Sequence, residues 1–142
     1  MKLSRTVAYA LQATLLLSKD TSRMPVACSK LAVEGKMPER FLLQILRNLV
    51  NHGLLRSTRG VDGGYMLLKK AHEISVLDIV EAIEGPVDAG LGAVDGLPTQ
   101  ARQLLEEALS DIARETRERL GALKLSHLME MDRAPAAVPS KA

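Results

Sequence analysis

The feature that most restricts the fold of this chain is a glycine-rich loop between two short runs of strand-forming residues. The first run is LLRSTRG (54–60), the second is GYMLLKK (64–70), and VDG separates them. Gly60, Gly63 and Gly64 are expected to supply the positive-φ positions that a tight hairpin loop needs. The sequence therefore predicts a two-stranded β-hairpin at this point.

Helical patterns precede and follow the hairpin. Four helices are predicted, over residues 4–18, 26–34, 38–53 and 75–84. Ser4 is a suitable N-cap for the first helix, and Gly35 is suited to a left-handed C-cap of the second. Pro38 fits the first turn of the third helix, and Ser75-Val76-Leu77-Asp78 resembles a capping box at the start of the fourth. A short helix that leads through a glycine turn into another helix indicates a helix-turn-helix, and the hairpin makes it a winged helix.

The third helix has two chemically different faces. The residues expected to be buried are Phe41, Leu42, Ile45, Leu46 and Leu49, and those expected on the opposite face are Arg40, Leu43, Gln44 and Arg47. Arginine reads guanine bidentately, glutamine reads adenine, and an exposed leucine contacts a thymine methyl group. Taken alone, this pattern also fits an ordinary solvated face. Within a winged helix it favours reading of DNA bases.

The hairpin carries basic and hydroxyl side chains toward its tip, in the run Arg56, Ser57, Thr58, Arg59 and Gly60. Such residues suit phosphate contact and insertion into a minor groove, although a glycine-rich hairpin can also carry incidental charge. Residues 1–72 have 12 Lys and Arg against 4 Asp and Glu, whereas residues 73–142 have 7 against 13. The basic first half favours a polyanionic partner. Because the chain has only two Tyr, one Phe and no Trp, single-stranded nucleic acid is not the expected polyanion.

The C-terminal half is built around one long helical stretch. Residues 85–98 hold four Gly and two Pro, which indicates a linker. The helix over 99–122 carries an apolar stripe of Leu105, Leu109, Ile112, Thr116, Leu120 and Leu123. A detached amphipathic helix must bury its stripe, so a second copy of the chain is the expected partner. The predicted units are a winged helix-turn-helix domain (1–84), the linker (85–98), a dimerisation helix with a short terminal helix near 126–131 (99–132) and a disordered tail (133–142).

The sequence lacks the features of several classes of protein. No apolar run approaches the length of a membrane helix, and the N-terminus lacks a signal-peptide cleavage site, so a cytoplasmic protein is expected. We find no nucleophile–base pair, phosphate loop or metal-ligand set, and therefore expect no enzyme, bound metal or cofactor. The lone Cys28 cannot form an intramolecular disulfide, and either a buried small hydrophobe or a thiol sensor fits it.

Four segments of the chain resemble the Rrf-two family of bacterial winged-helix transcription regulators. They are MKLSR at the start, FLLQIL in the third helix, GLLRSTRGVDGGY across the hairpin and SVLDIVEAIEG after it. The family includes the iron–sulfur-cluster regulator, the nitric-oxide-sensitive repressor and the cysteine-metabolism repressor. The resemblance is close over residues 1–87 and most specific from Gly53 to Tyr65. It implies a homodimer on a two-fold-related DNA site, with the third helix in the major groove and the wing tip in the minor groove.

The resemblance also implies roles for individual positions. Recognition falls on Arg40, Leu43, Gln44 and Arg47, wing contacts on Ser57, Arg59 and Gly60, and backbone contacts on Ser4 and Arg5. Cluster-bearing members carry Glu at the position of Leu43, so their site preference is not transferred. They also place three cysteines in the linker, which has none here, so the usual cluster ligands are absent.

The sequence thus predicts a mainly α fold, a winged helix-turn-helix with a two-stranded β wing and a long C-terminal dimerisation helix. The predicted function is dimeric, sequence-specific binding of double-stranded DNA by a transcription repressor. Two alternatives stay open. One is a winged-helix module that docks an acidic protein partner, and the other is a thiol-sensing regulator that uses Cys28.

Overall fold

The computed structural model describes residues 2–133 as helices around a two-stranded sheet. The elements are α1 (Arg5–Lys19), α2 (Cys28–Gly35), α3 (Glu39–Asn51), β1 (Leu55–Thr58), β2 (Gly64–Leu67), α4 (Val76–Glu84), α5 (Thr99–Ala122) and α6 (Leu125–Arg133), with a 3₁₀ turn over Ala71–Glu73. This architecture confirms the predicted mainly α winged helix with a two-stranded wing. Of the predicted tail, only residue 133, the end of α6, lies within the described residues.

The core forms where α1, α3, α4 and α6 meet behind the wing. Leu42, Leu46 and Leu49 of α3 are fully buried in the same core cluster as Ala10 and Ala13 of α1. Each fully buried leucine stabilises the fold by about 1.5–3 kcal/mol relative to an exposed one. The packing of α3 on α1 therefore fixes which face of α3 is left for solvent.

Local capping sets where α1 begins. The Ser4 hydroxyl oxygen accepts a hydrogen bond from the backbone N–H of Val7 at 3.2 Å, which confirms the predicted N-cap. The buried Thr14 hydroxyl donates to the carbonyl of Ala10 at 3.0 Å, so this polar group is satisfied inside the core.

The boundaries predicted for the second helix are wrong at both ends. Val26 is not helical but pairs with Tyr65 of β2, with both N–H to O distances at 2.9 Å, and α2 begins only at Cys28. Lys36, not Gly35, adopts the left-handed conformation (φ 52°, ψ 49°) at the C-cap. Gly35 is the last helical residue, and a Cβ there would lie 2.5 Å from Cε of Met37. Close packing, not backbone conformation, therefore favours glycine at this position, since a larger residue would have to displace the end of the Met37 side chain.

The wing is the predicted hairpin, with Leu55 opposite Leu67 and Thr58 opposite Gly64. Gly60 (φ +111°) and Gly64 (φ +155°) have positive φ as predicted, but Gly63 does not. A Cβ on Gly63 would lie 2.2 Å from the carbonyl oxygen of Thr58, so the loop requires glycine there for space. The N–H of Gly63 donates to the carbonyl of Gly60 at 3.0 Å and closes the tip.

The fourth helix begins with the predicted capping box. The Ser75 hydroxyl oxygen accepts from the N–H of Asp78 at 3.0 Å, and the Asp78 carboxylate accepts from the N–H of Ser75 at 2.9 Å. Residues 85–98 then form no helix or strand, as predicted. The N–H of Val87 donates to the Glu81 carboxylate at 2.8 Å, and the Arg117 guanidinium donates to the Val87 carbonyl. The start of the linker is thus fastened to both α4 and α5.

The chain returns to the core after α5, which the sequence did not indicate. The N–H of Val76 donates to the Leu123 carbonyl and the N–H of Leu125 donates to the Ile74 carbonyl, both at 2.8 Å. Leu125 is fully buried, and α6, which spans Leu125–Arg133 and so extends the short terminal helix predicted near 126–131, contacts α1. The predicted division of the chain at residues 84 and 98 stays a prediction. None of the helices within residues 2–133 is both long and apolar enough to cross a membrane.

Candidate nucleic-acid interface

The solvent face of α3 presents a continuous polar stripe. Arg40, Gln44 and Arg47 are exposed, and Leu43 lies half-buried at one edge of the stripe. Asn51 is also exposed and continues the stripe at the next helical repeat. The spacing 40, 44, 47, 51 was visible in the sequence, so the helical period alone could have added Asn51 to the candidate set.

Phe41 is the clear error in the predicted faces of α3. It was expected in the core, but 66 % of its surface is exposed. Its neighbours Leu42 and Ile45 are buried as predicted. The Phe41 ring lines an open cleft of about 250 Å³ between the start of α1 and the flank of α3, together with Arg5, Thr6, Tyr9, Pro38, Gln44, Ile45 and Asn48. The cleft brings the predicted backbone-contacting Arg5 beside the predicted base-reading Gln44.

Asn48 is a second residue that the sequence did not single out. Its side-chain carbonyl accepts a hydrogen bond from Nε2 of Gln44 at 3.3 Å. Its backbone carbonyl lies 2.9 Å from Nδ1 of His52 at the end of the helix. Asn48 therefore helps to hold the orientation of the Gln44 amide.

The wing stands beside α3 and faces it with one side only. Ser57 shares an open cleft of about 260 Å³ with Arg47, Val50, Asn51 and Tyr65. Arg56 lies on the opposite side of the hairpin, where Nη2 contacts Sδ of Met66 at 4.0 Å, and Thr58 follows the same alternation. Arg59 and Gly60 are exposed at the tip. The structure thus brings Ser57 and Arg47 together and separates them from Arg56.

The arginines of α1, α3 and the wing differ from those of α5 in their ion pairing. Within the part of the chain that the structure describes, no ion pair involves Arg5, Arg40, Arg47, Arg56 or Arg59. By contrast, the arginines at positions 102, 114, 117 and 119 of α5 each lie within 3.8 Å of a carboxylate. Unpaired guanidinium groups gathered at α1, α3 and the wing produce a locally positive potential that suits a phosphate backbone.

The helix α5 buries none of its residues within the chain. Of its predicted stripe, Leu105, Ile112 and the following Leu123 are exposed, and the unpredicted Leu104 is exposed as well. Leu109, Ile112 and Thr116 line an open cleft together with residues 87–90 of the linker. Leu120 packs against Val76 and Val80 of the same chain. Part of the apolar stripe therefore packs within the protomer, and the described residues leave the rest exposed to solvent.

The residues present do not fit a cysteine-ligated metal cluster. The linker has no cysteine, and residues 2–131, whose side chains the structure describes, contain no group of three or more His, Cys, Asp or Glu that could hold a metal ion. Cys28 is half-buried, with Sγ 3.8 Å from the Glu39 carbonyl oxygen. Burial, and secondarily the charge of Glu39, raises the pKa of the Cys28 thiol. This environment disfavours the reactive thiolate.

This protein has a helix-turn-helix, a β wing and a basic surface of arginines that are not ion-paired within the described residues. Together these features define the class of the protein as a winged-helix transcription regulator. The chain belongs to the Rrf2 (Rrf-two) family, described as iron-dependent transcriptional regulators, whose sequence profile matches residues 3–131. The family expected from the resemblance is thereby confirmed.

Individual relatives agree with this assignment. Over 131 residues the chain is 34 % identical to Rv1287 of Mycobacterium tuberculosis, named as an HTH-type transcriptional regulator, with 80 % of this chain and 81 % of the relative covered. The structure of CymR, the global cysteine regulator of Bacillus subtilis, superposes with a TM-score of 0.72 at 27 % identity, covering 92 % of this chain and 98 % of CymR. The structure of T. potens IscR superposes with a TM-score of 0.67 at 25 % identity, covering 100 % and 94 %. These proteins are transcription regulators and not enzymes, in agreement with the sequence-based expectation.

Proposed function

We propose that this protein is a homodimeric regulator that binds a two-fold-related site in double-stranded DNA and represses transcription in the bacterial cytoplasm. The observation that carries the proposal is the contrast in arginine pairing. Within the described residues, no ion pair involves Arg5 of α1, Arg40 and Arg47 of α3, or Arg56 and Arg59 of the wing, while each of four arginines of α5 lies within 3.8 Å of a carboxylate. An acidic protein partner would also be attracted to this surface, but the polar stripe on a helix of major-groove size favours DNA.

In this proposal α3 lies in the major groove. Arg40 and Arg47 present donors to guanine O6 and N7, and Gln44 forms the bidentate pair with adenine that its amide allows. The hydrogen bond from Gln44 to Asn48 limits the rotamers of the reading side chain before DNA arrives. Leu43 contributes an apolar edge beside the polar stripe.

The wing and the start of α1 act on the DNA backbone and on groove shape. Arg59, beside the flexible Gly60, enters a narrow minor groove, where the potential that attracts guanidinium is strongest. Ser57, Thr58 and Arg56 contact phosphates on the two sides of the hairpin. Ser4 accepts from Val7 through its oxygen, so its hydroxyl proton stays available for a phosphate next to Arg5.

The second protomer covers α5. Exposed Leu104, Leu105 and Ile112 give this helix an apolar surface that a second copy can cover symmetrically. A dimer places two copies of α3 on successive turns of one face of the DNA, which is why a two-fold-related site is expected. Repression follows most simply, because a dimer that covers a promoter excludes polymerase without a further contact. The absence of linker cysteines means that the regulator works without the family's usual cluster ligands.

The test compares two single substitutions at this surface by fluorescence anisotropy at several salt concentrations. Gln44→Ala is expected to cost about 1–3 kcal/mol on the preferred duplex and to relax preference at one or two base pairs. Arg5→Ala is expected to weaken all duplexes alike and to lower the salt slope by roughly one unit for each phosphate that is no longer neutralised. Arg114→Ala, on α5 and ion-paired with Asp111, is the matched control and is expected to change neither property. Unchanged base preference in Gln44→Ala, with altered preference in Arg5→Ala, would show that α3 is not the reading helix.

A further inference from the structure

The one phenylalanine of the chain stands on the candidate DNA surface instead of in the core. Phe41 is 66 % exposed, whereas the adjacent Leu42 is fully buried. A single exposed apolar residue is ordinary on a protein surface and indicates nothing by itself. The position of Phe41 is what distinguishes it, because its ring and Gln44 line the same cleft.

Phe41 and Gln44 are neighbours on α3 because they are three residues apart. The Gln44 side chain extends toward Asn48, to which it is hydrogen-bonded at 3.3 Å. It does not cover the Phe41 ring, which is exposed. Arg5 lies across the cleft. If Arg5 holds a phosphate and Gln44 reads a base edge, the ring shares one cleft with both the backbone contact and the base contact.

The major groove offers one apolar group to such a ring. Thymine presents its C5 methyl there, whereas the other groups on the base edges are hydrogen-bond donors and acceptors. The arginines and Gln44 of α3 supply polar contacts only. Leu43 is half-buried on the other edge of the helix, so Phe41 offers the larger free apolar surface.

We propose that Phe41 is a specificity-determining residue that packs its exposed ring against the C5 methyl of a thymine next to the base pair read by Gln44. This inference rests on the proposed DNA-binding function and adds a preference that polar residues cannot supply. It also accounts for the aromatic side chain on the flank of an otherwise polar reading surface.

The test uses the preferred duplex with each thymine replaced, one at a time, by deoxyuridine, which removes only the methyl group. Wild-type protein is expected to lose about four-fold in affinity at one position of each half-site, the value for burying one methyl group. Phe41→Ala is expected to bind the unmodified duplex more weakly and to lose this sensitivity, and Phe41→Leu is expected to retain part of it. Val33→Ala removes an apolar group from α2 that is even more exposed than Phe41, and it is expected to keep the full sensitivity. Because Phe41 is outside the core, circular dichroism of Phe41→Ala is expected to match the wild type.

Three results would overturn the inference. Wild-type protein could bind the duplex tightly with no effect of any thymine replacement. Phe41→Ala could keep the wild-type sensitivity, so that another residue reads the methyl group. Phe41→Ala could weaken all duplexes equally while the sensitivity persists, as expected for a ring that packs on deoxyribose. Failure of wild-type protein to bind any duplex would instead overturn the DNA-binding proposal, and this inference with it.

Discussion

The substitution Leu125→Ala tests whether α6 belongs to the winged-helix core. Leu125 is fully buried, and its N–H is fixed to the Ile74 carbonyl at 2.8 Å. Truncation to alanine removes buried methyl and methylene groups and leaves a cavity, which costs about 2–5 kcal/mol in a core of this kind. Since a domain is stable by only about 5–15 kcal/mol, we expect a loss of about 3 kcal/mol, a large fraction of the total.

The assay is urea denaturation followed by circular dichroism. The protomer concentration is held constant, because dimerisation would otherwise shift the apparent stability. Met131→Ala, on the same helix but 75 % exposed, is the matched control and is expected to change the free energy of unfolding by less than about 0.5 kcal/mol. If Leu125→Ala were as stable as Met131→Ala, the packing of α6 on the core would be refuted.

Three further outcomes follow from local contacts. Ser75→Ala removes the cap that accepts from the N–H of Asp78 and is expected to lower the free energy of unfolding by about 1 kcal/mol, measured by the same urea titration. Burial and, secondarily, the charge of Glu39 raise the pKa of the Cys28 thiol. Cys28 therefore holds less thiolate than a free thiol at any pH near neutrality. Its alkylation by iodoacetamide, followed by mass spectrometry, is expected to be slower than that of glutathione and to accelerate only as pH rises above the usual thiol range of about 8.5. Ile112→Glu places a charge on the exposed stripe of α5 and is expected to yield folded monomers in sedimentation velocity.

For each of these three predictions, one result would contradict it. Unchanged stability of Ser75→Ala would show that the capping box contributes nothing measurable. Alkylation of Cys28 faster than that of glutathione at neutral pH would revive the thiol-sensor alternative. A dimer that persists in Ile112→Glu would place the interface away from α5.

Local signals were enough to predict much of this fold. The capping box at Ser75 and Asp78, the N-cap at Ser4 and the glycines of the hairpin each depend on residues close in sequence, and each has the predicted structure apart from Gly63. The polar stripe of α3 was predictable for the same reason, because the helical period alone separates it from the core face.

Apart from the local errors at Gly35 and Gly63, the errors lie where distant segments meet. Phe41 is on the flank of α3, where burial depends on how closely α1 approaches and not on the period of α3 itself. The start of α2 depends on pairing of Val26 with Tyr65, and the burial of Leu125 depends on backbone bonds made to Ile74, which is far away in the sequence. The hydrophobic periodicity of a sequence does not reveal such long-range pairings.

Selection of duplexes from a randomised pool by the purified protein tests whether α3 reads a two-fold-related DNA site. We expect enrichment of an inverted repeat whose half-sites lie about one helical turn apart, and loss of the preference at one A·T pair of each half-site when Gln44→Ala is used instead. Enrichment of no sequence, or of the same inverted repeat with undiminished preference in Gln44→Ala, would contradict sequence-specific binding through α3.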